Sequence, residues 1–250
     1  MIPILFRRFA VCLSLVVTAV ASAAEPAILA KARAFLGSEP ALQGVTSIHF
    51  LGTLVTADPA DASKQTRAQV DIIFQLPYRQ RITINYEKTI EETALDGYDA
   101  WQRLQDATDK SKRRLIVLPP DQIKRLRANA LENLSFYRGL ESHGVAIEDQ
   151  GAATVEGVAC EKVTFSHSGG IVFARYFNVA TGQLVLTETE SGGEIREQGE
   201  IRVDGLRFPR TLVTTTKSAA GLPQTVTITF DKITVNETFP ANFFSVPLVP

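Results

Sequence analysis

The stretch Val70-Asp71-Ile72-Ile73-Phe74-Gln75-Leu76-Pro77-Tyr78-Arg79-Gln80-Arg81-Ile82-Thr83-Ile84-Asn85-Tyr86 decides the fold. Val70, Ile72, Phe74 and Leu76 alternate with Asp71, Ile73 and Gln75. Past Pro77, Gln80, Ile82, Ile84 and Tyr86 alternate with Arg79, Arg81, Thr83 and Asn85. A period of two is that of a β-strand, and one greasy face beside one mostly wet face is that of an antiparallel sheet covered on one side. Working outward, residues 48–56 are rich in β-formers, and Asp96-Gly97 is a hairpin signal between strands at 90–95 and 98–103. Residues 158–166, 171–178, 184–190, 194–203, 211–217 and 225–235 repeat the same grammar without a fixed period. They are joined by Gly169-Gly170, Thr181-Gly182, Gly192-Gly193, Asp204-Gly205 and Gly221-Leu222-Pro223. In the last strand Val226, Ile228 and Phe230 hold one phase and Ile233 and Val235 the other. A β-bulge is therefore expected near Asp231-Lys232.

Two segments read as helices. Residues 25–36 place Ile28, Leu29, Ala32, Phe35 and Leu36 near one face, with Pro26 suited to the first turn and Gly37 ending the run. After Pro119-Pro120, the residues Ile123, Leu126, Ala130, Leu134 and Tyr137 recur at helical spacing while Lys124, Arg125 and Arg127 take the other side. The fold class that follows is α+β, about ten or eleven antiparallel strands with helices over one face of the sheet.

The N-terminus reads as a targeting segment. Arg7 and Arg8 precede an apolar run at 9–20 and the small residues Ala21-Ser22-Ala23, so residues 1–23 form a signal peptide cleaved near Ala23 or Ala24, and 24–250 form one exported, periplasmic domain. The apolar run is shorter than the ~20 residues that span a bilayer. Over the whole chain 26 basic residues face 27 acidic ones, a balance that offers no field for collecting nucleic acid. Cys12 falls within the signal, which leaves Cys160, expected to be buried as a small apolar residue. No phosphate loop, dinucleotide fingerprint, nucleophile elbow or metal-ligand spacing is present, so no cofactor, metal or catalytic residue is expected. His49, His143 and His167 are isolated, with His167 read as part of a polar turn, and Glu91-Glu92 point to opposite faces of a strand. Between Arg103 and Arg127 eight basic residues face three acids. Arg113, Arg114, Lys124, Arg125 and Arg127 are the candidate basic patch for an anionic membrane surface or a protein partner of the cell envelope, against the alternative of a solvated hairpin and helix face.

The order of these features resembles a family. A short first helix, Pro77-Tyr78-Arg79, Asp96-Gly97-Tyr98-Asp99-Ala100-Trp101, an inserted helix, a meander and a terminal Asn242-Phe243-Phe244-Ser245-Val246-Pro247 are together similar to the outer-membrane lipoprotein-sorting (LolA-like) superfamily, over essentially the whole chain after the signal. Val155-Glu156-Gly157-Val158-Ala159-Cys160 and Asp204-Gly205-Leu206-Arg207-Phe208-Pro209 fit as well. The resemblance implies a strongly curved, unclosed half-barrel whose apolar concave face is lidded by helices and holds the acyl chains of a lipid or lipoprotein. It also implies an alternative of the same fold, a periplasmic sensor or protein-interaction module. In the carrier pattern an Arg commonly stands before the Pro of the second strand. Here that position is Leu76, so the lid-locking role of that Arg is not carried over. On this reading Phe74, Ile82, Ile84, Trp101, Phe173 and Phe230 are cavity-wall candidates or ordinary core, and Ile123, Leu126 and Leu134 are lid candidates or ordinary helix docking.

Overall fold

A computed structural model describes residues 25–59, 61, 64–218, 221–240 and 242–247; the expected signal peptide and its cleavage site lie outside them. The chain opens with helices α1 (Ala27–Leu36) and α2 (Glu39–Gln43). The first run of strands is β1 (Ser47–Ala57), β2 (Gln65–Gln75), β3 (Arg79–Asn85), β4 (Thr89–Asp96), β5 (Asp99–Asp106) and β6 (Arg113–Val117). Helix α3 (Pro120–Ser135) and a 3-10 turn at Leu140–His143 separate it from β7 (Ala146–Val155), β8 (Val158–His167), β9 (Ile171–Asn178), β10 (Leu184–Thr189) and β11 (Glu194–Gln198). The last strands are β12 (Ile201–Val203), β13 (Leu206–Phe208), β14 (Thr211–Lys217) and β15 (Pro223–Val235).

Thirteen strands make one antiparallel sheet in the order β6-β5-β4-β3-β2-β1-β15-β14-β11-β10-β9-β8-β7, so β6 and β7 are free edges and the half-barrel is unclosed. The strand count exceeds the ten or eleven expected: β6, β7 and β13 are additional strands, and the expected strand 194–203 is two. Gly199, at φ 66°, breaks it, and β12 and β13 pair as a separate hairpin. The expected bulge is present. Leu51 pairs with Lys232 and Gly52 with Phe230, which leaves Asp231 as the extra residue. Gly52 is required there, since a Cβ would lie 2.2 Å from the Thr229 carbonyl oxygen. Helix α1 begins at Ala27 behind Pro26, and α3 ends at Ser135, capped by Phe136, whose φ of 49° is left-handed, as is the 62° of Tyr137. No described helix is long and apolar enough to cross a membrane.

Both faces of the sheet are covered around β1–β5. On the concave side Ile48, Phe50, Ile72 and Phe74 pack with Leu134 and Phe136 of the α3 region into one core cluster. A second cluster joins Ile28, Leu29 and Ala32 of α1 to Leu131, Tyr137, Val163, Phe165 and Phe177. On the convex side the C-terminal segment closes over Trp101. The Trp101 indole N–H donates to the Phe244 carbonyl at 3.0 Å, Arg81 donates to the Phe243 carbonyl at 2.7 Å, and Phe239, Phe243 and Phe244 stack on one another. Glu92, buried beneath them, accepts from both Arg81 and Arg103. His49 fixes the start of this segment, with one ring nitrogen 2.7 Å from Glu237 and the other 3.0 Å from Asp71.

Candidate functional site

The two concave clusters do not fuse. Between them lies a cavity of about 290 Å³ whose walls come from both. Its apolar side is sheet: inward positions of β1, β2, β3 and β15 contribute Phe50, Ile72, Phe74, Ile82 and Phe230, joined by Phe208 and Leu212. These residues share the cavity because each occupies the inward phase of its strand, with Phe50 opposite Ile72 and Ile72 opposite Ile82 in adjacent ladders. The Phe50 ring packs against Phe74, Phe208 and Phe230 at centroid separations of 6.3, 5.9 and 4.8 Å.

The opposite side is polar. Asn129, Glu132 and Asn133 of α3, Arg175 of β9, Thr187 of β10 and Glu197 of β11 all face the same space. Arg175 is buried among aromatic rings, its guanidinium carbon 4.7 Å from the Phe165 centroid, 5.2 Å from that of Tyr137 and 5.5 Å from that of Phe173. Its Nη1 donates to Glu132, whose second oxygen accepts from His167 Nε2 at 2.6 Å. Burial alone would push the Glu132 carboxyl up, but the Arg175 charge and the His167 hydrogen bond hold it below the usual range, so it is an anion. His167 is therefore a buried donor to that anion, where a polar turn was expected. Burial pushes Glu197 up to about 7, against the opposing pull of Arg175. Glu197 is partly exposed and lines the cavity. Burial likewise raises the Tyr137 phenol. Among the described residues no three His, Cys, Asp or Glu side chains converge as metal ligands do.

Of the residues singled out from sequence as cavity walls, Phe74, Ile82, Phe173 and Phe230 line the cavity. Ile84 packs on the first core cluster without reaching it, and Trp101 lies on the convex face under the C-terminal segment. The alternation Asp99, Trp101, Arg103 against Ala100, Gln102, Leu104 already sets Trp101 in the polar phase of β5. Helix α3 lies over β2, β3 and β4. Ile123 and Leu126 pack half-buried on the first cluster and Leu134 is buried in it, while the cavity itself meets the polar residues of the helix. The helix is also clamped. The Arg127 guanidinium sits 3.9 Å from the ring centroids of both Tyr78 and Tyr98 and donates to the Gly97 carbonyl at 2.7 Å. The five basic residues thus do different work. Arg127 holds the helix to two strand turns, Arg125 pairs with Glu190, Lys124 pairs with Asp121, and Arg113 and Arg114 stand exposed on edge strand β6.

The polar wall went unread in the sequence, although its signal is there. Arg175 occupies the phase of Ile171, Phe173 and Phe177, Glu197 that of Ile195, and Glu132 the buried face of α3 beside Ala128, Leu131 and Ser135. A charged residue in an otherwise apolar phase is the observation that marks such a site.

The whole fold has close counterparts at low sequence identity. A LolA superfamily protein from Nitrosomonas europaea matches with a TM-score of 0.58 at 11% identity, over 88% of this chain and 96% of that one. An outer membrane lipoprotein-sorting protein domain from Vibrio parahaemolyticus matches with a TM-score of 0.56 at 9% identity, over 87% and 94%. A DUF1329 family protein from Desulfovibrio piger matches with a TM-score of 0.56 at 7% identity, over 88% and 96%. No family model matches the chain, and no curated protein does. At these identities the likeness is one of fold.

Proposed function

We propose that this chain, whose fold is the LolA-like half-barrel, is an exported periplasmic carrier that shields the acyl chain of a lipid or lipidated protein in the cavity beneath α3. The observation that carries this reading is the unfilled seam itself. Protein interiors are close-packed, with few voids larger than a water molecule. Here an apolar sheet wall of Phe50, Phe74, Phe208 and Phe230 faces a polar wall at Glu132, Arg175 and Glu197, the lining of a pocket for a mostly apolar ligand. An acyl chain laid against Phe50, Phe74, Phe208 and Phe230 removes its own surface from water. Export rests on Arg7-Arg8, the apolar run and Ala21-Ser22-Ala23, and the name of the Vibrio counterpart supports a place in lipoprotein sorting.

The test is saturable binding of a fluorescent fatty-acyl probe to delipidated protein. One site per chain is expected, with binding abolished in Leu212→Trp, which fills the cavity from β14 while the fold stays intact. A wild-type protein that takes up no probe overturns the reading. A second reading, a periplasmic interaction or sensor module, is favoured by edge strand β6, where Arg113, Arg114, Ile116 and Val117 stand exposed beside an unpaired backbone edge.

A further inference from the structure

We propose that edge strand β6 takes up an acidic, extended segment of a protein partner as a further, antiparallel strand of the sheet, with two carboxylates against Arg113 and Arg114 and two apolar side chains against Ile116 and Val117. The proposal rests on the interaction reading of β6, to which it adds the partner's chemistry and the mode of docking. It holds whether or not the cavity carries lipid.

The backbone comes first. β6 pairs with β5 on one side and with no described strand on the other. The Lys112 carbonyl accepts from the Asp106 N–H at 3.0 Å, and the Leu118 N–H donates to the Ala100 carbonyl at 2.9 Å. Alternate residues bond across an antiparallel ladder, so Arg114 and Ile116 share that bonding side, and Leu115 and Val117 turn their N–H and C=O groups outward. Those are the groups that an added strand satisfies. The other free edge is less suited. β7 carries a bulge between Asp149 and Gly151, and a bulge twists an edge away from further pairing.

The side chains choose the partner. Arg113 and Arg114 are exposed and make no ion pair among the described residues, whereas Arg103, one strand in, is paired with Glu92. Val117 is 69% exposed and Ile116 38%, and Leu104, opposite Arg114 on β5, is 46% exposed. Neighbouring residues of a strand face opposite sides of the sheet. Each side of the edge therefore shows one cation and one apolar residue, Arg114 with Ile116 and Arg113 with Val117. Charges on an edge ordinarily prevent pairing. Here they do so against every strand except one that brings acids, because opposite charges across a ladder are favourable and like charges are not. A second copy of β6 would bring two more arginines and no anion, and β7 holds its acids, Glu148 and Asp149, at its bulge. Every pair in this sheet is antiparallel, so the fitting segment reads, from its N-terminus, two apolar residues, one of any kind, then two acids.

Amide-resolved NMR titration of the wild-type chain with the end-capped peptide Val-Ile-Thr-Glu-Glu, at concentrations up to about 1 mM, tests this. Shifts should centre on 113–117 and Leu104, with β7 and the cavity residues unmoved. Methylating the backbone nitrogen of the peptide's Thr, which would face Leu115, should abolish them. The double variant Arg113→Glu with Arg114→Glu should bind this peptide about tenfold more weakly or worse and bind Val-Ile-Thr-Lys-Lys instead, an exchange that a disordered edge would not show. If Val-Ile-Thr-Gln-Gln binds the wild type as tightly as the acidic peptide, the charge selection is wrong, and the proposal falls while the interaction reading stands. Absence of binding by every peptide, or shifts centred on β7 or the cavity, overturns both. Self-association of the wild type, or its binding to vesicles of phosphatidylglycerol and phosphatidylethanolamine, that is lost in the double variant would assign the edge to a second copy or to a membrane and would also overturn the proposal.

Discussion

Glu197→Gln should stabilise the folded domain at pH 8 and change it little at pH 5. Glu197 faces the cavity on β11, and burial raises its carboxyl from the usual 4.5 to about 7, with Arg175 pulling the other way. Between those values the folded chain holds a proton that the unfolded chain has released. Its contribution is therefore most favourable below 4.5 and is lost as pH rises toward 7. At about 1.4 kcal/mol for each pH unit, that interval corresponds to about 3 kcal/mol of stability lost by pH 8 and under about 1 kcal/mol by pH 5. Glutamine cannot ionise and does not suffer the loss. In a domain of this size about 3 kcal/mol moves the midpoint of thermal unfolding by about 6–12 °C. The assay is paired thermal melts of wild type and variant from pH 5 to pH 8 at fixed salt, followed by circular dichroism. A difference that does not grow with pH, or a variant less stable than wild type at pH 8, would refute burial as the cause that raises this carboxyl.

Arg127→Ala removes the clamp between Tyr78 and Tyr98 and should cost about 2 kcal/mol, from two cation–π contacts and one hydrogen bond. Binding of a dye that fluoresces in apolar settings should rise while the strand signal persists; unchanged dye binding would mean that the helix is held elsewhere. His49 is raised above its ordinary 6.5 by hydrogen bonds to Asp71 and Glu237, against the opposing effect of burial. Its contribution is full below 6.5 and fades as pH climbs through the raised value, so amide protection factors at 237–239 and 242–246, corrected for the base-catalysed rise in intrinsic exchange, should fall over that range, and protection factors independent of pH would contradict this. Trp101 is the single tryptophan and is covered by Phe244. Removing 237–250 should therefore red-shift its emission and open it to acrylamide, and an unshifted spectrum would place the ring somewhere other than under this segment.

The central strands were legible because burial writes alternation into them: β2 and β3 extend the stretch around Pro77, and the phase slip at Asp231 is the observed bulge. Helix α3 was equally plain from its apolar spacing. The edges were not. In β7, Ala146–Val155, nearly every side chain is at least partly exposed, so the ladder to β8 holds a strand that carries no apolar phase. In β6, Arg113 and Arg114 stand exposed beside Ile116 and Val117 for the same reason. Alternation also fixes which residues share a face without saying which face is inside. Around β4 and β5 both sides are buried, one by α3 and one by the C-terminal segment, which is why Trp101 fits either a cavity wall or ordinary core in the sequence and is core on the other side. The apolar half of the site followed from strand phase in Phe74, Ile82, Phe173 and Phe230. The polar half needed three distant segments, α3, β9 and β11, to be brought together before Glu132, Arg175 and Glu197 could be seen as one group.

The most direct test of the carrier account is native mass spectrometry of the protein purified from its own cells without added lipid. The account predicts an acyl-bearing amphiphile on the wild-type chain, released by organic extraction and missing from Leu212→Trp. A folded wild type that carries no such mass, and takes up none when fatty acid is supplied, would contradict it.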